Sequence, residues 1–99
     1  MKTNISSIHF KTDKELENFI EKKIGKLVNI YDEVVSSKVI LQVMNAETQN
    51  NKSVEIKLII KGNNLFAKKQ SKTFEEATGN AVEALRKQLI KRKEKIRTK

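Results

Sequence analysis

Ninety-nine residues allow one domain with a single modest core. Hydrophobic residues make up 37% of the chain and charged residues 33%, yet the apolar positions recur at regular spacing, which argues for a folded domain rather than a disordered polymer. The absence of cysteine excludes disulfides, thiolate zinc sites and thiol nucleophiles, and a formal charge of +9 points toward polyanionic partners.

In chain order, residues 3–10 read as a weakly alternating strand whose apolar members are Ile5, Ile8 and Phe10. Thr12-Asp13-Lys14-Glu15 has the capping-box form, with the Thr12 hydroxyl placed to accept an early backbone N–H and Glu15 to reach back. Leu16, Phe19, Ile20, Ile24, Leu27 and Val28 then recur at three- and four-residue steps, so the spacing predicts an amphipathic helix that ends near Asn29 to Asp32.

Two long β-type runs follow. Val34 to Met44 is rich in Val, Ile and Leu, and Val54 to Lys61 alternates, with Val54, Ile56, Leu58 and Ile60 on one side and Glu55, Lys57 and Lys61 on the other. The polar stretch Asn45 to Lys52 between them reads as a loop. Gly62-Asn63 suits a two-residue hairpin turn and leads into a fourth strand, about Asn64 to Lys72. Thr73-Phe74-Glu75-Glu76 repeats the capping-box form and opens a last helix with a stripe of Phe74, Ala77, Ala81, Val82, Leu85 and Leu89. Beyond Ile90 the stripe gives way to charge, so residues 91–99 are expected to be a basic helix end or a frayed tail.

The expected fold is α+β: a single domain over residues 1–99 in the order β-α-β-β-β-α. The three consecutive strands should pair antiparallel, the first strand should join by a right-handed crossover, and both helices should pack on one face of a mostly antiparallel four-stranded sheet. Ile40, Ile59 and Phe66 fit this scheme least well. They belong either to the open sheet face or to a register shifted by one residue.

Little in the sequence suggests catalysis. His9 is the sole histidine and has no partner of metal-binding or nucleophilic type. Gly25, Gly62 and Gly79 lie in no phosphate-loop pattern, and the acids are interleaved with lysines as on solvated helix faces. The expectation is a non-enzyme with no catalytic residue, metal, cofactor or small-molecule substrate. No apolar run nears the roughly 18 residues a membrane span needs, and Met1 is not followed by a signal-peptide pattern, so a cytoplasmic location is expected.

The strong signal is basic. Residues 86–99 hold eight Lys or Arg against Glu94, which is +7 of the chain's +9. Lys87, Lys91 and Lys95 fall four apart and share a face, Arg86, Lys93 and Arg97 form a row beside it, and Arg92 adds to the cluster. On the first helix Lys22 and Lys26 are four apart with Lys23 adjacent. Helices lying side by side would join these residues into one positive surface for RNA phosphates. Tyr31 and Phe66 could stack on bases, but with 5% aromatic residues the composition favours recognition of backbone and shape, and Tyr31 is better placed to close the core edge.

The sequence resembles the bacterial ribosome hibernation-promoting factors and ribosome-associated translation inhibitors. The resemblance is carried by Asn4-Ile5-Ser6, by Lys23-Ile24-Gly25-Lys26-Leu27 with Tyr31-Asp32, and above all by Leu85-Arg86-Lys87-Gln88-Leu89-Ile90-Lys91-Arg92-Lys93-Glu94-Lys95. It implies binding to the small ribosomal subunit in the channel used by mRNA and by A- and P-site tRNA. It also implies contact with ribosomal RNA through basic residues of both helices, inhibition of translation in stressed cells and protection of idle ribosomes. Lys23 and Lys26 match the basic positions of the first helix, and Lys87, Lys91, Lys93 and Lys95 those of the second, with Arg92 at a commonly basic position. Asn29, Glu75, Gly79 and Ala84 depart from the family pattern, as does the basic fourth strand with Lys68, Lys69 and Lys72. The resemblance is to the short type without a C-terminal dimerisation domain, expected to be a monomer off the ribosome. A double-stranded RNA-binding module shares the α-β-β-β-α core and is the rival reading. A membrane-surface module is disfavoured because the apolar stripe of residues 74–89 is needed by the sheet.

Overall fold

The structure, a computed structural model, describes residues 2–8, 10–30, 34–44, 51–62 and 64–97; for Lys2, Ile30 and residues 93–97 it describes the backbone alone. The elements run β1 (Lys2–Ile8), α1 (Lys14–Ile30), β2 (Val34–Val43), β3 (Lys52–Ile60), β4 (Leu65–Ser71) and α2 (Phe74–Arg97). The sheet order is β1-β2-β3-β4, with β1 parallel to β2 and the other two pairings antiparallel. This is the expected α+β fold. His9, Tyr31, Asp32, the loop residues 45–50 and Asn63 lie outside the described residues.

Two strand boundaries differ from expectation, and each has a packing reason. β1 stops at Ile8 because Phe10 leaves the strand and stacks on Phe74, ring centroids 4.8 Å apart. β3 starts at Lys52, earlier than Val54, because Lys52 pairs with both Val43 and Ser71 and the ladder outweighs its polar composition. In the turn after β3, Gly62 has φ of 91°, a left-handed conformation that favours glycine.

The helix starts also differ from one another. For α1 the cap is Asp13 rather than Thr12: the Leu16 N–H donates to Asp13 Oδ1 at 2.7 Å, and the Thr12 hydroxyl donates to the Glu17 carboxylate. A carboxylate facing the positive end of the helix is the stronger acceptor of the two candidates. For α2 the Glu76 N–H donates to Thr73 Oγ1 at 3.1 Å, as the capping pattern predicts.

One face of the sheet carries the core. Val39 and Leu41 of β2, Val54, Ile56, Leu58 and Ile60 of β3 and Ala67 of β4 are buried against Ile20, Ile24 and Leu27 of α1 and Ala77, Ala81, Leu85 and Leu89 of α2. The register pairs like with like: Val39 opposes Ile56 and Leu41 opposes Val54 on the core side, while Ile40 opposes Glu55 and Lys38 opposes Lys57 on the other. Ile40, Ile59 and Phe66 therefore lie on the open face, as one of the two sequence alternatives had it. A bulge between Val34 and Ser36 switches side-chain parity, so that Val34 joins the core while Val35 is exposed.

Strand directions fix the helix directions. β1, β2 and β4 run the same way, so α1 and α2 both return against them and lie parallel and in contact. The Phe10–Phe74 stack pins their N-termini together at one end. From that shared start α1 has 17 residues and α2 has 24, so α2 outruns α1 by about 10 Å.

Candidate nucleic-acid interface

The parallel helices sort charge along the molecule. The first turns carry Glu15 and Glu17 on α1 and Glu75 and Glu76 on α2, complementing both positive dipole ends. Lys14 also opens α1, but the candidate cations come later: Lys22, Lys23 and Lys26 on α1, and Arg86, Lys87, Lys91 and Arg92 on α2. The acidic turns thus share one end, and the basic residues gather toward the other.

Groove contacts fix which way each helix is turned. Glu21, Gly25 and Val28 of α1 line a groove with Thr3 of β1, so this flank faces the sheet's β1 edge. At 100° per residue the opposite flank, with Phe19, Lys23 and Lys26, is turned toward α2. On α2, Asn80, Glu83, Ala84 and Lys87 line a groove with Lys69 of β4, so Lys87 and, one turn on, Lys91 lie on the β4 flank. Arg86 is turned about 100° from Lys87, toward the α1 side.

The candidate residues therefore form two groups on the solvent side of one helical layer, divided by the outer ridge of α2. Lys22, Lys23, Lys26 and Arg86 lie on or toward the inter-helix side, and Lys87 and Lys91 share the β4 flank with Lys69. Lys69 was outside the sequence-derived set. Its signal was the basic run in β4, but strand pairing alone brings that residue to α2. The side chains of Lys93 and Lys95 lie outside the described residues.

The cations differ in how free they are. Lys22, Lys26, Lys87 and Lys91 are exposed and make no ion pair with a described residue. Lys23 is half-buried, with its ammonium 5.5 Å from the centroid of the Phe19 ring. Arg86 forks onto Glu83 of its own helix, Nε and Nη2 donating at 3.2 and 3.1 Å. That hydrogen bond, with the Arg86 charge, holds the Glu83 carboxyl below its ordinary value of 4.5 and raises the Arg86 guanidinium. Arg92 is half-buried and already has an interaction partner. Among the described residues no group of acids or histidines is arranged to hold a metal ion.

A β-α-β-β-β-α sheet bearing two parallel helices with a cationic outer surface defines a class of small α+β domain. Residues 3–97 match the family model described as sigma 54 modulation protein / S30EA ribosomal protein, and the chain belongs to that family. This is the family to which the sequence resemblance pointed. Among solved structures, the fold is similar to that of a ribosomal subunit interface protein from Coxiella burnetii, with a TM-score of 0.83 and 19% identity, covering 94% of this chain and 98% of that one. It is also similar to the N-terminal domain of Protein Y from Thermus thermophilus, with a TM-score of 0.75 and 19% identity, covering 86% and 90% of the two chains. No curated protein matches the sequence.

Proposed function

We propose that the chain binds the small ribosomal subunit in the channel used by mRNA and by A- and P-site tRNA, gripping ribosomal RNA phosphates, so that translation is inhibited and idle ribosomes are preserved. Family membership supports the ribosome as partner, and the Coxiella protein of the same fold is described as a ribosomal subunit interface protein. The observation that carries the reading is the set of exposed lysines on the solvent side of two adjacent helices, Lys22 and Lys26 on α1 and Lys87 and Lys91 on α2, none of which makes an ion pair with a described residue. Exposed ammonium groups are open to phosphate oxygens and release counterions on binding. Lys23 and Arg86 border these lysines, and the proposed contacts include Arg92, Lys93 and Lys95. The family is in general non-catalytic, and the proposed action is occupancy of the channel by a cytoplasmic protein that is monomeric off the ribosome. Among the described residues no helix is long and apolar enough to cross a membrane.

The test is cosedimentation with small subunits across a salt series. Each phosphate contact contributes about −0.9 to the slope of log affinity against log salt, so four contacts give about −3.6. The double variant K87E/K91E should weaken binding and flatten that slope by about 2. A ligand occupying the decoding site should compete. Equal binding by the variant, or strong binding to free duplex RNA with none to subunits, would overturn the assignment, the second outcome in favour of a double-stranded RNA-binding module.

A further inference from the structure

The face of the sheet turned away from the helices has its own order. The register places Asn4, Lys38, Lys57 and Phe66 side by side in one row across all four strands. Ser6, Ile40, Glu55 and Lys68 form the next row. Lys38, Ile40, Glu55, Lys57 and Phe66 line a shallow hollow at the meeting of these rows. We infer that this hollow is a second binding site, separate from the helical layer, that takes single-stranded RNA by stacking a base on Phe66 and holding the adjoining phosphates on Lys38 and Lys57.

Phe66 is 51% exposed, a large ring on open sheet directly beside Lys57. Its backbone is fixed from behind: Gln88 of α2 donates to the Phe66 carbonyl at 3.1 Å. The ring therefore sits on an anchored strand rather than a loop. Lys38 and Lys57 are direct cross-strand partners, an arrangement of like charges that destabilises a sheet. Among the described residues no ion pair relieves Lys38, Lys57 or Lys68. A bound phosphate would relieve it. One strand spacing, about 4.8 Å, separates Lys57 from Phe66 in the row and a second separates Lys38, so ring and cations lie close enough to serve adjoining parts of one nucleotide chain.

Glu55 distinguishes RNA from the other anionic partner such a face might attract. Its carboxylate repels phosphates and peptide carboxylates alike, but it can accept hydrogen bonds from the amino or imino N–H groups of a base, donors that acidic side chains lack. Low aromatic content argued against base stacking from composition. The register places one aromatic residue beside two lysines, a smaller version of the platform that other RNA-binding sheets use.

Fluorescence anisotropy with fluorescein-labelled oligo(U) and oligo(A), at a reference salt concentration and across a salt series, tests the site. Phe66→Ala should weaken binding about 5- to 100-fold, the usual worth of one stacked base, and Phe66→Leu should not restore it. K38Q/K57Q, which keeps the ring, should weaken binding and flatten the salt slope by about 2. In K87E/K91E the loss caused by Phe66→Ala should persist. The site is overturned if Phe66→Ala or Phe66→Leu binds as the wild type does. It is equally overturned if labelled polyglutamate, and not RNA, shows the Phe66 dependence. Circular dichroism melts check the fold, and if Phe66→Ala is unfolded, K38Q/K57Q decides: unchanged affinity and salt slope reject the site.

Discussion

The two helices begin alike and end differently. Each starts with a side-chain cap and an acidic first turn, each is pinned at its start by the Phe10–Phe74 stack, and each buries an apolar stripe on the same sheet face. α1 then stops at Ile30, and its last turn holds no basic residue. α2 loses its stripe after Leu89 yet remains helical to Arg97. Core packing thus accounts for α1 and for the first two-thirds of α2 only. The remainder of α2 is, apart from Ile90 and Ile96, built from Lys, Arg and Glu, which are good intrinsic helix formers, and its cations lie at the negative end of the helix dipole, where they are favourable. The difference separates two determinants of helix length: burial fixes one end, and charge carries the other past the core to where a polyanion can be met.

The largest effects should test where the core ends. Ile24→Ala in α1 and Leu85→Ala in α2 each remove a fully buried side chain and should each cost about 2–5 kcal/mol in urea unfolding. Lys91→Ala, exposed and two residues past Leu89, should change stability by under about 0.5 kcal/mol. A cost at Lys91 comparable to that at Leu85 would place the end of α2 in the core and erase the contrast between the helices.

The caps come next, and here the two starts differ chemically. Asp13→Ala and Thr73→Ala should each cost about 1 kcal/mol, because each leaves one backbone N–H without its acceptor. Thr12→Ala should cost less, since its hydroxyl serves Glu17 and no backbone donor. A larger loss at Thr12 than at Asp13 in the same unfolding assay would restore the cap that the sequence pattern suggested.

Most of the architecture could be read in the sequence because side-chain periodicity dictates it. The alternation of Val54, Ile56, Leu58 and Ile60 could pack only one way, and the helical stripes had only that sheet face to cover. Features set by tertiary contact were less legible. Thr12-Asp13-Lys14-Glu15 holds two possible caps, and only the path of the chain into α1 selects Asp13. Lys52 reads as loop until two neighbouring strands pair with it. At the candidate site, spacing within a helix showed that Lys87 and Lys91 share a face, but not that this face meets Lys69 of β4 while Lys23 and Lys26 turn toward α2. That division depends on how each helix is rotated on the sheet, which no local pattern encodes. Arg86 looked equivalent to its neighbours in sequence, and its fork onto Glu83 appears only in the folded chain.

That fork gives the smallest expected effect and a means of ranking the cations. Because hydrogen bonding to Arg86 lowers the Glu83 carboxyl in the folded protein, the pair contributes its stability above the unfolded value near 4.5 and loses it as pH falls through the depressed folded value. Both groups are exposed, so the change in stability is slight, and site-resolved NMR titration of the Glu83 carboxyl is the measurement to use. Arg86→Gln should move that midpoint up toward 4.5, and an unmoved midpoint would mean the fork does not persist in solution. RNA sharpens the same measurement. Glu83 occupies two of the five N–H donors of Arg86 and offsets its charge, so a phosphate there must share the guanidinium or displace Glu83, whereas one that takes Lys87 or Lys91 breaks no ion pair with a described residue. Arg86 should therefore contribute less to subunit affinity than either lysine. If RNA draws Arg86 away from Glu83, the Glu83 midpoint should rise in the complex, as expected for Arg86→Gln; if the fork stays closed, the midpoint should stay low.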